Sequence, residues 1–312
     1  MQLKQNFKLK PGGGENSNPT IWVFVVLSVL LIFTPSCIKD VDIPIKDVEN
    51  RLVLKCLFTE TQKMSVILGQ SIPTGKNFSR RVTGAHIVLF SDDHPNDTLF
   101  ETEPGLYYSD IVPEQGKKYR LICEANSFQT ITSNVSEIPE KCNIISATIT
   151  DSVAIDESDI VSEIKILFSD PPAQNNFYDL DIIYINNDSI TDLDYYSAYY
   201  TDLGKEPVLI NEGLLKYYPS SLIFSDALFN GNTYNLTVNV IYKDYDVMII
   251  LRRISEDLYN YLKSLTLYSN AVDYSLWGSA EPVNVVSNIN NGFGIFSGYS
   301  ADTLYLMRNE NR

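Results

Sequence analysis

The clearest candidate for chemistry in this chain is a cysteine near its start. Cys37 follows thirteen uncharged residues, Ile21–Phe33, and then Thr34-Pro35-Ser36, behind a leader that carries Lys4, Lys8 and Lys10. A positive end, an apolar core and small residues at a cleavage point, in that order, form a secretory signal. A cysteine directly behind it predicts that the leader is cut after Ser36 and that Cys37 becomes a lipidated N-terminus. The run is too short to span a bilayer, which takes about 18 or more apolar residues. Thr34 and Pro35 depart from the usual lipoprotein box, which has Leu and then Ser, Ala or Thr at those positions, and Ser36 fits it. Each buried CH₂ contributes about 0.8 kcal/mol, and more than one acyl chain gives stable attachment.

The other reactive residue types form no recognisable constellation. Of the two histidines, His86 lies in a strand-like stretch and His94 in Ser-Asp-Asp-His-Pro-Asn-Asp, and neither has a spaced partner for a metal site. There is no Gly-x-Ser-x-Gly nucleophile elbow and no Cys-x-x-Cys pair. The acidic stretch Asn186–Asp194 lacks the alternation and the glycine of an EF-hand loop, so it reads as a solvated loop. Directly after it, Tyr195, Tyr196, Tyr199 and Tyr200 are candidate ligand-facing aromatics, because tyrosine offers a flat apolar face with a polar tip. The expectation is a protein that is not an enzyme, with no catalytic residue, no metal and no cofactor.

Charge narrows the partners. The leader takes three lysines and Glu15 with it, leaving 21 basic and 38 acidic residues, a net −17. Such a surface repels phosphate backbones, so nucleic acid is excluded as a partner. It also disfavours flat adhesion to anionic lipid, which leaves the acyl anchor as the membrane contact. A hydrophobic content of 44% is enough for packed cores. Cys56, Cys123 and Cys142 are too few for a disulfide framework, and they read as small buried side chains, with one bridge among them left open.

The elements that must position any site read as β. Short runs rich in Val, Ile, Tyr and Thr recur between turn residues, as in β-sandwiches. Strands are predicted over Leu52–Phe58, Met64–Leu68, Ala85–Phe90, Leu106–Ser109, Lys118–Glu124 and Phe128–Ser133. A second series covers Ile144–Thr150, Glu163–Phe168, Tyr178–Ile185, Thr233–Tyr242 and Val247–Arg252. Between the two, the proline-bearing stretch Ser136–Cys142 reads as a linker. One helix is expected near residues 255–267. Ser255 is placed to cap it, Glu256 and Asp257 fall in its first turn, and Leu258, Tyr261, Leu262 and Leu265 make one apolar stripe that packs on a sheet. Gly292, Gly294 and Gly298 have no helix after them and alternate with Phe293, Ile295 and Tyr299, so they belong to a strand and not to a phosphate loop. The expected architecture is mainly β: leader 1–36, tether 37–48, an Ig-like or transthyretin-like sandwich over 49–138, and a β-rich, sandwich-like domain over 139–312 with the helix packed on it.

The run Leu251–Ser264, followed by Glu281-Pro282 and Ser287–Phe296, resembles a family of Bacteroidota outer-membrane lipoproteins known only as domain of unknown function 4249. Gly84-Ala-His-Ile-Val-Leu, Gly105-Leu-Tyr-Tyr, Gly116-Lys-Lys-Tyr-Arg-Leu and Phe224–Gly231 look like that family too, in the same order. The first half also resembles the transthyretin-like regulatory domain of carboxypeptidases, through Gly105-Leu-Tyr-Tyr and Tyr119-Arg-Leu. The resemblance implies a lipid-anchored envelope protein, commonly encoded beside TonB-dependent outer-membrane receptors, and it supplies no catalytic residues. The leading expectation is an outer-membrane accessory or binding protein that works with such a receptor in nutrient capture, its small-molecule or glycan ligand unidentified. A surface structural or adhesion role is the second reading. Asp97-Thr98-Leu, Asp151-Ser152-Val, Asp188-Ser189-Ile and Asp302-Thr303-Leu match the acceptor pattern of periplasmic O-glycosylation in that phylum. At least one of Thr98, Ser152, Ser189 and Thr303 is expected to carry glycan in the native host. An intact mass of host-purified protein equal to that of the unmodified lipoprotein would sink this expectation.

Overall fold

Alternation of side chains fixes the first strand. In β1 (Leu52–Phe58), Leu52, Leu54, Cys56 and Phe58 point inward and are buried, with Lys55 exposed between them. The computed structural model describes residues 20, 50–72, 81–92, 95–154, 160–172, 175–186, 189–190, 206–213, 221–240, 246–275 and 283–307. After β1 come β2 (Ser65–Gln70), β3 (His86–Ser91), β4 (Asp97–Thr98), β5 (Phe100–Glu103) and β6 (Leu106–Tyr108). They are followed by β7 (Lys118–Glu124), β8 (Ile131–Ser133) and β9 (Ser136–Glu137). The second series is β10 (Asn143–Ala154), β11 (Ile160–Ser169), β12 (Phe177–Asn186), β13 (Ser189–Ile190), helix α1 (Pro207–Glu212), β14 (Leu222–Ser225) and β15 (Thr233–Val240). The chain continues with β16 (Asp246–Ile254), helix α2 (Glu256–Ser275), β17 (Ile289–Asn290) and β18 (Phe293–Leu306). The fold is mainly β and sandwich-like, as the alternation implied. Among the described residues no helix is long and apolar enough to cross a membrane.

Three sheets are built from these strands. A nine-stranded sheet runs β13-β12-β16-β18-β1-β2-β6-β5, with β14 also on β12. Against its two halves stand a six-stranded sheet, β17-β8-β7-β3-β4 with β9 on β7, and a three-stranded sheet, β10-β11-β15. The first core joins residues from Leu52 to Ile138 with Ile289 and Phe296, and the second gathers residues from Cys142 to Leu251. These cores divide close to residue 138, yet the C-terminal strand belongs to both halves. Residues 293–298 of β18 pair parallel with β1, and residues 299–306 pair antiparallel with β16. By contact pattern Glu49–Arg312 forms a unit separate from Met1–Val48.

The glycines of β18 are needed for this seam. A Cβ on Gly294, whose φ is +115°, would lie 1.8 Å from the Leu54 carbonyl oxygen, and one on Gly298 would lie 2.4 Å from that of Glu137. Ser136 and Glu137, expected in a linker, instead form β9 on β7, and Ser136 Oγ accepts the Gly298 N–H at 3.1 Å. Tyr107, from the Gly105-Leu-Tyr-Tyr stretch, locks the first sandwich: its hydroxyl donates to the Val82 carbonyl and accepts from the Ala85 N–H, both at 3.0 Å.

Helix α1 closes one flank of the second sandwich. Glu206, at its N-cap, accepts the Thr237 N–H of β15 at 3.0 Å, and Glu212, in its last turn, accepts the Ser225 N–H of β14 at 2.8 Å. Glu212 also takes the Tyr259 hydroxyl and Lys263 Nζ of α2. Burial pushes the Glu212 carboxyl up, but these donors outweigh it and hold it below the usual carboxylate range. Ser255 caps α2 as expected, its Oγ accepting the Leu258 N–H at 3.1 Å. Two features of the helix differ from expectation. It continues to Ser275, and its packed face uses Tyr259, whose ring lies tilted against Phe177 with centroids 4.6 Å apart, while Leu265 is 39% exposed.

Gly294→Ala is expected to cost about 3 kcal/mol or more, combining overpacking with a positive φ. Gly116→Ala, at φ +74° with nothing within 4 Å, carries the backbone penalty alone, about 1–2 kcal/mol. Chemical-denaturation midpoints of the two variants check the difference, and equal losses would contradict the close approach.

Candidate binding cleft

Where β7 and β9 of the first sandwich meet β12, β16 and the start of α2, the surface opens into a cleft of about 740 Å³. The first sandwich contributes Lys118, Ser136, Glu137 and an apolar pair, Val135 and Pro139. The second contributes Asn175, Asn176, Phe177, Arg253 and Ile254, and Ser255, Glu256 and Asp257 bring the capped helix start. Val135, Pro139, Phe177 and Ile254 give the cleft an apolar component. Lys118 and Arg253 supply positive charge, and Glu137, Glu256 and Asp257 supply negative charge.

A buried polar network stands behind this lining. Asn176 donates through Nδ2 to Asp170 Oδ1 at 3.0 Å, to Asp226 Oδ2 at 3.1 Å and to the Pro171 carbonyl at 2.9 Å. Its Oδ1 accepts from Arg253, whose Nη1 donates to the Glu140 carbonyl at 3.0 Å. Asp170 further accepts the Gly231 N–H at 2.6 Å and the Tyr178 hydroxyl. Asp226, in the Phe224–Gly231 stretch, takes the Asn176 N–H at 2.8 Å. Burial, and after it the Asp170 charge, pushes the Asp226 carboxyl up against the hydrogen bonds from Asn176. These bonds fix the loop before β12 and the turn after β14, and so they set the second-sandwich wall of the cleft.

The expected site residues are not brought together here. Cys37, His94, Tyr195, Tyr196, Tyr199 and Tyr200 lie outside the described residues. His86 stands exposed at the start of β3, opposite Glu124. Thr98 on β4, Thr303 on β18 and Ser152 on β10, at φ +60°, are exposed, and Ser189 lies on β13. In three of the Asp-Ser/Thr-apolar stretches the aspartate is already engaged: Asp97 with Ser109, Asp151 with Ser162, and Asp302 with the Ile144 N–H and Lys141. Cys56, Cys123 and Cys142 are free and buried. Burial pushes the Cys123 and Cys142 thiols up to about 12, which keeps them protonated and poor as nucleophiles or ligands at neutral pH. Among the described residues, no group of three or more His, Cys, Asp or Glu is placed to hold a metal ion. The cleft residues Asn176 and Arg253, and Asp170 and Asp226 behind them, were not singled out from sequence. The local signal was confined to Arg253 and Asp226, each inside a stretch read only as a family feature.

The described residues form a mainly β chain of packed sandwiches with a mixed polar and apolar cleft at their junction. The family described as Domain of unknown function (DUF4249) matches residues 38–304, and the chain belongs to that family. No curated protein matches the chain. Among solved structures, the selenomethionine-substituted chicken interferon gamma receptor alpha chain is similar over 64% of this chain and 86% of its own, at 10% identity. Its TM-score of 0.18 is too low to relate the two folds.

Arg253→Met removes the donors to Asn176 and to the Glu140 carbonyl. A loss of about 1–3 kcal/mol is expected, because Asn176 and the Glu140 carbonyl each lose a buried charged donor. Thermal and denaturant unfolding measure it, and unchanged stability would show that the network is not structural.

Proposed function

We propose that this chain is a lipid-anchored protein of the cell envelope that acts with a TonB-dependent outer-membrane receptor in capturing or taking up a nutrient. The cleft at the junction of the sandwiches is the observation that carries the reading. It presents Lys118, Glu137, Arg253 and Glu256 around Val135, Phe177 and Ile254, a lining suited to reversible binding of a small molecule or glycan with polar and apolar parts. The leader ahead of Cys37 supports attachment to the outer membrane, and the resemblance to Bacteroidota lipoproteins supports the receptor as partner. In this reading the first sandwich is a transthyretin-like module that frames one wall of the cleft, and the protein carries out no reaction of its own.

Co-purification from detergent-solubilised outer membrane of the native host tests the reading. A TonB-dependent receptor is expected in the eluate of the tagged wild-type chain, and its consistent absence would overturn the proposed partnership. Protease shaving of intact cells then reports which face of the membrane carries the sandwiches.

A further inference from the structure

The second sandwich has two flanks, and its sheet edges are treated differently on each. On one flank α1 sets Glu206 against the edge of β15 and Glu212 against the edge of β14, while Val208 and Leu209 fill the core between them. On the other flank lie β10 and the second half of β18. There the segment 140–144 meets β18 at three points: Ser300 Oγ on the Glu140 carbonyl at 3.2 Å, Lys141 Nζ on Asp302 at 3.1 Å, and the Ile144 N–H on Asp302 at 2.8 Å. From Ser146 to Thr150, no group among the described residues pairs with β10 on the side away from β11.

Among the described residues the other terminal strands of the sheets are shorter or meet α1. β4, β13 and β17 have two residues each, β5 has four, and β14 and β15 meet α1. β10 is twelve residues long, and Asn143–Thr150 contains no charge and no proline, so it lacks two devices that usually keep an edge from pairing. Bulges at Ile144/Ser146 and Thr150/Val153 bracket a regular stretch between them. Along this stretch the core itself is incompletely covered. Ile144, Ala147, Ile149, Leu304 and Leu306 pack on the second core but are only partly buried, and Ile145 is 53% exposed.

We infer that the free edge of β10 is a self-association surface that takes a second copy of this chain. β10 of one copy pairs antiparallel with β10 of the other about a two-fold axis, and two three-stranded sheets become one of six. The chemistry favours this occupant. The uncharged stretch Asn143–Thr150, paired with itself, places no like charges opposite one another, which is the usual penalty in antiparallel self-pairing. Pairing about a two-fold axis consumes the β10 edge in both copies, so assembly through this edge closes at two. The chain's net charge of −15 opposes approach, but over distances beyond about 8 Å it is screened at physiological salt. The dimer is therefore strengthened by salt, the reverse of an interface held by ion pairs. This inference is independent of the receptor partnership and survives its failure.

Native mass spectrometry and sedimentation of the detergent-solubilised full chain test it across a concentration series. A concentration-dependent dimer is expected, tighter as sodium chloride is raised. Ser146→Lys with Thr148→Lys, both at exposed positions, should weaken the dimer by about tenfold or more, whereas Thr148→Val should keep it. Should the lysine variant not fold, hydrogen exchange of the wild type gives the same answer, since backbone amides within Ser146–Thr150 gain protection as concentration rises. A chain that stays monomeric, a dimer indifferent to the lysines, or amides in this stretch that never respond to concentration would each overturn the inference.

Discussion

Much of this fold depends on one strand fitting between partners that lie far apart in sequence. β18 binds β1 in parallel through its first half and β16 antiparallel through its second, so a single continuous backbone belongs to both sandwiches. Parallel pairing requires a long connection, and here the connection is most of the chain. The strand can come this close only where side chains are missing. At Gly294 and Gly298 the backbone of β1 and of β9 occupies the space a Cβ would need. Phe296, between these glycines, fills the first core against Phe58 at 5.0 Å, and Ile295 faces the α2 cluster. The alternation of glycine with large apolar residues is therefore a packing pattern: small where backbones touch, large where cores need volume.

The second constraint is the handling of unpaired backbone. A short helix such as α1 gains little from its own hydrogen bonds, because nucleation is costly. It is held by Val208 and Leu209 in the core and by its glutamates on the sheet edges. Burying Glu206 and Glu212 carries a desolvation penalty, offset because each accepts several hydrogen bonds, including one from a strand N–H that would otherwise lie unpaired. Carboxylates thus do at β14 and β15 what a neighbouring strand does elsewhere. β10 stands in contrast, since among the described residues no carboxylate meets its edge beyond the 140–144 segment.

How much of this was legible in the sequence follows from the range of each interaction. β1 and β7 could be read to the residue, because period-two burial is local and their ends are marked by polar residues. Ser255 was legible as a cap for the same reason, and so was the strand character of Phe293–Tyr299. The linker reading of Ser136–Glu137 failed because two residues carry no periodicity, and their strand identity comes entirely from pairing with Lys118 and Tyr119. The helix stripe was half right. Tyr259 packs because Phe177 and Glu212 arrive from β12 and α1, while Leu265 lies where the sheet no longer covers the helix. The Asp170–Asn176–Asp226–Arg253 network was not legible as a network, since its members come from the β11–β12 loop, the turn after β14 and β16, and none is unusual alone.

The cleft follows from the same seam. Because β18 passes from one sandwich to the other, β9 and the start of β12 are brought beside it from opposite sides, Ser136 through Gly298 and Asn176 through Arg253 on the neighbouring β16. The cleft lies where the two sandwiches that share β18 meet. The residues lining it are those already fixed by the joint: Ser136 and Glu137 by pairing with β7, Asn176 by two aspartates, and Ser255 by the helix it caps. A site built this way is held rigid by the hydrogen bonds that join the sandwiches, so its ordering cost is met on folding and not on binding. The shape of the cleft therefore rests on the buried network, while Lys118, Glu137 and Glu256 stand exposed at its rim.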